Sequence, residues 1–293
     1  MLAKARPLPG IALQKLREAL SIEWTYNSNS IEGNTLTLRE TQMVLQEGIT
    51  IKGKSLREHF EAKNHETALN RLYEMVRKKE ALNAKAVMEL HSFVLRSIED
   101  DFAGRLRNGG VRIAGANFTP PNAQKVPDLF DELFDFIENN ARKLHPIELA
   151  TIFRHKFVWI HPFFDGNGRT VRLAMNLLLM GTGYPPAIIL SNDRKKCYNA
   201  LNKANKGDYT KLMLVMLQSL ERTLNIYLNA LPGSEDEYKE ISSLVKEEDV
   251  PYGMEYISLL ARQGKIDAYK EGRNWLTSRK AIEDYIANRK REL

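Results

Sequence analysis

The sequence predicts a mainly α protein with one small β interruption and a short mixed α/β segment near its C-terminus. Three observations carry this. Apolar residues recur at helical spacing along most of the chain up to residue 228. The stretch 106–121 breaks that spacing with Gly109, Gly110 and Gly115 and ends on Pro120-Pro121. Beyond a polar, Pro/Gly-containing stretch that begins at Leu231, short alternating runs replace part of the helical period. At 293 residues, 43% hydrophobic and 27% charged, the chain has material for one sizeable core and a smaller second domain.

The elements follow in order. Helical spacing predicts helices over 11–28, 37–47, 55–79 and 83–96. Val111-Arg112-Ile113 alternates like a strand, so 106–121 reads as a hairpin or flap between helices. Helices are expected again over 126–140 and 146–160, then over the apolar run 169–180, closed by Gly181, Gly183 and Pro185-Pro186. Two more fit 194–205 and 209–228. Residues 231–237 read as a linker. After it come a helix over 253–262, strands over 265–270 and 274–277 around Glu271-Gly272-Arg273, and a last helix capped by Ser278. Helix, turn, two-stranded wing and helix is the order of a small winged helix-turn-helix. The expected division is 1–50 for N-terminal helices, 51–230 for the main helical core, 231–237 for the linker and 238–293 for the winged-helix-like domain.

Composition excludes several classes. The longest apolar run, around 173–180, is too short to span a bilayer, so no membrane partner is expected. The N-terminus MLAKARPLPG lacks an apolar signal core. The single Cys197 excludes an internal disulfide and a cysteine zinc cluster, and fits a reducing, cytoplasmic location. A net charge of +6 permits an anionic ligand or nucleic acid without demanding either.

The run His161-Pro-Phe-Phe-Asp165-Gly166-Asn167-Gly168-Arg169-Thr-Val-Arg172 concentrates the chemistry. Gly166 and Gly168 allow positive φ and close approach of an anion. A helix starting near Arg169 aims its open N–H groups at the loop. Arg169 and Arg172 share a helical face, and two guanidinium forks suit a di- or triphosphate. Asp165 offers one hard oxygen ligand of the kind Mg²⁺ prefers. His161 titrates near neutrality and can take a proton from an attacking hydroxyl. An Asp-Gly-Asn-Gly fragment alone is an ordinary turn. The full run, with a histidine and two arginines at fixed offsets, points to phosphoryl- or nucleotidyl-transfer chemistry.

This run also resembles the Fic (fido) signature, His-x-Phe-x-Asp/Glu-Gly-Asn-Gly/Lys-Arg-x-x-Arg, at every specified position. The resemblance covers about residues 20–225. It implies a Fic helical core with a β-hairpin flap, and an enzyme that moves AMP from ATP to a Ser, Thr or Tyr hydroxyl of a target protein. It implies His161 as general base, Asp165 as the Mg²⁺ ligand and Gly166, Asn167 and Gly168 as the anion cradle. Arg169 and Arg172 would contact the outer phosphates, Asn205 the adenine, and Tyr198 would neighbour the base. Gly115, Ala116, Asn117 and Phe118 would form the part of the flap that holds the target. Cys197 stands where some relatives carry an aromatic residue. One branch of the family phosphorylates instead, with the acidic and first glycine positions replaced and lysine at the second glycine; Asp165, Gly166 and Gly168 argue for AMP transfer.

Ser28-Asn-Ser-Ile-Glu32-Gly33 is similar to the family's inhibitory signature. Ser28 and Glu32 are four apart and share a helical face, with Gly33 as the helix stop. The resemblance implies that Glu32 pairs with Arg172 and takes the arginine needed by the γ-phosphate. Some relatives with this glutamate also remove AMP, so that second activity stays open, as does a homodimer. The competing reading from another class is a DNA-binding regulator whose Fic domain senses ATP or is silent. It rests on residues 250–293, where Arg262, Lys265, Lys270, Arg273 and Arg279 could meet phosphates. The same segment equally suits a protein-interaction module.

Overall fold

The computed structural model describes residues 10–113, 118–229, 238–246 and 250–289. The expected linker 231–237 and the flap residues Gly115, Ala116 and Asn117 lie outside the described residues. The chain divides into two compact units, Glu18–Ser219 and a second made of Met1–Arg17 with Leu220–Leu293.

Nine helices are described before the C-terminal sheet: α1 (Gly10–Ile31), α2 (Leu38–Gln46), α3 (Leu56–Arg77), α4 (Ala84–Leu95), α5 (Val126–Asn140), α6 (Pro146–Ile160), α7 (Asn167–Gly181), α8 (Arg194–Ala204) and α9 (Thr210–Asn229). Local chemistry sets their starts. Thr37 caps α2 and Ser55 caps α3, each in a reciprocal capping box with Glu40 or Glu58 three residues on. Such a cap contributes about 1 kcal/mol. Asn83 caps α4 through the Ala86 N–H at 2.9 Å. Pro146 occupies the first turn of α6, where its missing N–H costs nothing.

The unit Glu18–Ser219 is organised around α7, which packs against α3, α4 and α6. Leu173, Ala174, Met175 and Leu179 are fully buried, so this helix is apolar on nearly every side. The packed helices bury Leu69 and Leu72 of α3, Val87 and Leu90 of α4, and Phe153 and Phe157 of α6. Asn176 is also fully buried, yet satisfied. Its amide donates to the Arg172 and Ala187 carbonyls and accepts the Ala187 N–H at 2.7 Å, which pins the returning chain to α7.

The flap departs from expectation. Val111-Arg112-Ile113 carries no strand, and the described parts of 106–121 have no strand pairing. The C-terminal unit departs in the other direction. It holds β1 (Tyr238–Glu240), α10 (Ile241–Leu244), α11 (Met254–Arg262), β2 (Ala268–Glu271), β3 (Asn274–Ser278) and α12 (Arg279–Arg289). The hairpin read as two-stranded gains β1 as a third strand, giving an antiparallel sheet of order β1-β3-β2. Three residues are too few for alternation to show. Ile241, Leu244, Ile257, Leu260 and Ile282 form the core here, and Trp275 packs against it.

Candidate active site

The loop between α6 and α7 is built by its own sequence. His161 ends α6 in the left-handed region, φ 50 and ψ 62, with its N–H bonded to the Phe157 carbonyl at 2.9 Å. A histidine there is strained, and strain of this kind gathers at functional sites. Asn167 closes the loop. Its side chain accepts the Phe163 N–H at 3.0 Å and donates to the Phe163 carbonyl at 2.8 Å. The Asn167 side chain is therefore a brace that shapes this loop. The brace also explains why α7 begins at Asn167, two residues before the position expected from apolar spacing. Gly166 sits at φ 74, and a Cβ there would meet His91 and Val94 at 3.3 Å. The first N–H groups of α7 thus face a shaped, positively biased hollow.

Both motif arginines are buried and both are taken. Arg172 is 4% exposed. Its Nη1 lies 2.8 Å from Glu32 Oε1, its Nε donates to Ser28 Oγ at 3.0 Å, and its Nη2 donates to the Ser28 carbonyl at 2.7 Å. Glu32 comes within the turn just after α1 rather than on the helix, with its N–H on the Asn29 carbonyl. Gly33, at φ 105, ends that helix. Glu32 also overlies the cradle: a Cβ on Gly168 would lie only 2.0 Å from its Oε1. Arg169, 2% exposed, has Nη1 at 3.1 Å from Glu61 of α3 and Nη2 at 3.5 Å from Asp165. The Glu61 contact is an ion pair without hydrogen-bond alignment.

Asp165 is half-exposed. Its Oδ2 pairs with Arg57 at 2.5 Å and its Oδ1 accepts the Gly166 N–H at 2.6 Å. Among the described residues no three metal-ligating side chains converge. The carboxylate therefore fits an ion such as Mg²⁺ that takes one protein oxygen and completes its shell from phosphate and water.

Burial holds the site's histidines neutral. His161 is lowered to about 4, first by burial and then by the charge of Arg107; the Val158 backbone, Glu32 and Asp165 oppose this. His91, lowered to about 4 by burial, stacks on Phe163 with centroids 3.6 Å apart. The Gly104 N–H donates to its Nδ1 at 2.9 Å, so its Nε2 carries the proton and donates to the Asp165 carbonyl at 3.0 Å. His65, lowered to about 3 by burial and then by Arg172 and Arg169, stands behind the two arginines.

The structure brings Ser28, Glu32, Asp165, Gly168, Arg169 and Arg172 into one network. Tyr198 on α8 feels the charges of Glu32 and Arg172, and burial raises its pKa. Asn205 stands apart from the motif: its Oδ1 accepts from His155 Nε2 at 2.8 Å, while Tyr209 donates to His155 Nδ1 at 2.8 Å. Phe118 is half-buried at the edge of the described flap. Arg57, Glu61, His91 and Arg107 have no counterpart in the sequence reading. Only His91 leaves a trace there, as a polar residue on the apolar face of α4.

Comparison with known proteins agrees with this geometry. Residues 81–179 match the model of the Fic/DOC family. "Protein adenylyltransferase Fic" of Aedes aegypti is 33% identical over 264 residues, covering 89% of this chain and 52% of that protein. The protein of the same name in Nematostella vectensis is 33% identical over 248 residues, covering 83% and 58%. The chain thus spans about half the length of the curated relatives it matches. The solved structure of Fic-1 (aa134 - 508) from C. elegans superposes with a TM-score of 0.71 at 31% identity, covering 78% of this chain and 68% of that one. A Fic domain containing signaling protein from Bacteroides thetaiotaomicron gives 0.68 at 28%, covering 78% and 91%. With a buried His161–Arg172 motif, a matching family model and a relative at this identity and coverage, the chain belongs to the Fic/DOC family.

Proposed function

We propose that this chain transfers AMP from ATP to a hydroxyl side chain of a protein, and that Glu32 holds its resting form back. The observation that carries the reading is the placement of the Glu32 carboxylate. It lies on Arg172 and over Gly168, where a helix N-terminus and two buried arginines would otherwise receive an anion. A carboxylate seated there stands in for an outer phosphate.

In the reaction a target hydroxyl oxygen bonds to the α-phosphorus of ATP and its proton passes to His161. The bond to the β-phosphate oxygen breaks and pyrophosphate leaves with the negative charge. His161 is neutral at pH 7 because its pKa is held near 4, so it is in the accepting form. An arriving polyphosphate raises its basicity. Arg169 and Arg172 neutralise the leaving charge once Glu61 and Glu32 give way. Asp165 would hold Mg²⁺, which adds charge neutralisation at the phosphates. Tyr198, which feels the charges of Glu32 and Arg172, would border the nucleotide, and Asn205 would reach the base with the part of its amide that His155 does not use. The flap around Phe118 would hold the target.

Names of relatives such as "Protein adenylyltransferase Fic" support this chemistry. The experiment is direct. The Glu32→Gly protein is incubated with ATP labelled at the α- or the γ-phosphate. Label arriving from the α position alone is expected; label only from the γ position would sink the reading. The element order of the C-terminal unit supports a winged-helix-type module. Exposed Met254 and Leu259 on its α11 favour a protein partner over duplex DNA there.

A further inference from the structure

Arg107 is 2% exposed, and among the described residues no carboxylate pairs with it. A guanidinium buried without a counter-ion persists only if carbonyls meet its N–H groups. Four do. Nε donates to the His161 carbonyl at 2.8 Å, Nη1 to Gly109 at 2.9 Å, and Nη2 to Pro121 at 2.6 Å and Ile160 at 3.3 Å. Its backbone N–H adds a bond to the Pro162 carbonyl at 2.9 Å.

These acceptors come from three separate places. Ile160 and His161 are at the C-terminal end of α6, where the helix dipole is negative and favours a cation. Gly109 leads into the segment 110–120, and Pro121 leads out of it. One rigid planar fork therefore ties the peptide of the histidine to both stems of the flap. Lysine has the charge but not the fork. The tie matters at His161, whose left-handed backbone is strained and has to be held by its surroundings. Phe157 holds its N–H, and Arg107 holds its carbonyl.

We propose that Arg107 is a positioning residue that keeps the His161 ring and the two stems of the flap, Gly109 and Pro121, in one fixed mutual geometry. The proposal rests on His161 being the base of the AMP-transfer reading. It separates two properties of one side chain. The fork sets geometry. The charge, second to burial, also keeps the imidazole neutral, against Glu32, Asp165 and the Val158 backbone.

Two variants divide these properties. Arg107→Lys keeps the charge and loses the fork; Arg107→Gln loses the charge as well. Both are made in the full chain. Hydrogen exchange at the amides of position 107 and His161, which donate to the Pro162 and Phe157 carbonyls, and NMR titration of the His161 ring need no turnover. In both variants exchange at these two amides should rise at least about tenfold while α3 and α7 stay protected. The His161 titration should move up in Arg107→Gln and stay put in Arg107→Lys. In the Glu32→Gly background, self-labelling from α-labelled ATP should fall about ten- to a hundredfold at saturating ATP, with KM for ATP unchanged. Parent-like exchange at the amides of position 107 and His161 would overturn the proposal, and so would loss of protection throughout, α3 and α7 included, which marks a merely structural arginine. Absence of labelling by Glu32→Gly with Arg107 intact would count against AMP transfer, leaving the exchange and titration results to judge Arg107.

Discussion

Replacing Glu32 by glycine should convert a blocked nucleotide site into an open one, and the size of the effect can be worked from the geometry. Glu32 Oε1 is 2.8 Å from Arg172 and close enough to Gly168 that a Cβ there would collide at 2.0 Å. A phosphate seated on the same arginine would have the carboxylate about 4 Å away. Two negative charges at that distance repel by about 4 kcal/mol at an effective dielectric of 20. Removing that repulsion corresponds to on the order of a thousandfold in rate if it acts at the transition state. The opposite ledger is stability. Arg172 keeps its two bonds to Ser28 but loses its counter-ion, and a partly exposed partner makes the loss about 2 kcal/mol rather than the larger cost of a fully buried pair. The assay is transfer of α-labelled phosphate at saturating ATP, beside a thermal melt of the same protein. A faster enzyme that melts earlier is expected. A melt that falls with no change in labelling, in a protein whose labelling His161→Ala abolishes, would refute the brake.

Other consequences are equally specific. His161→Ala should abolish labelling without unfolding the chain, and His161→Gly should melt higher than His161→Ala because glycine relieves φ 50, which differential calorimetry can read. Gly168→Ala should expel Glu32 from Arg172 and cost about 1–3 kcal/mol. Adding Glu32→Gly should return much of that loss, and a double-mutant cycle showing simple additivity would contradict the contact. Stability should fall as pH drops from about 6.5 toward 4. His91 and His161 hold folded values near 4 and His65 near 3, below the ordinary 6.5, so the unfolded chain binds protons first. Each contributes about 1.4 kcal/mol per pH unit across that window, and urea titrations at pH 7, 6 and 5 measure the slope.

Much of the helical framework was legible because capping and periodicity are local. Thr37, Ser55 and Asn83 mark helix starts by their own side chains, and Pro146 does so by lacking a donor. Alternation at Val111-Arg112-Ile113 says nothing about a partner, and the described residues there carry no strand. The strand β1 was invisible for want of length. Asn167 reads as a ligand in the motif and acts as a brace, since only the folded loop shows Phe163 at both ends of its amide.

The sequence by itself determined the chemistry present: a histidine, one hard carboxylate, two glycines and two arginines in a short run, with a glutamate far upstream to oppose them. Those are properties of residue type and spacing over a few turns. Only the tertiary structure decided who holds whom. Glu32 and Arg172 lie far apart in the chain, as do Arg57 and Asp165, or Arg107 and His161. Such pairs form because α3, α4 and α6 pack around α7 and exclude water. Without water each buried charge needs a partner within hydrogen-bond reach, wherever in the chain that partner lies.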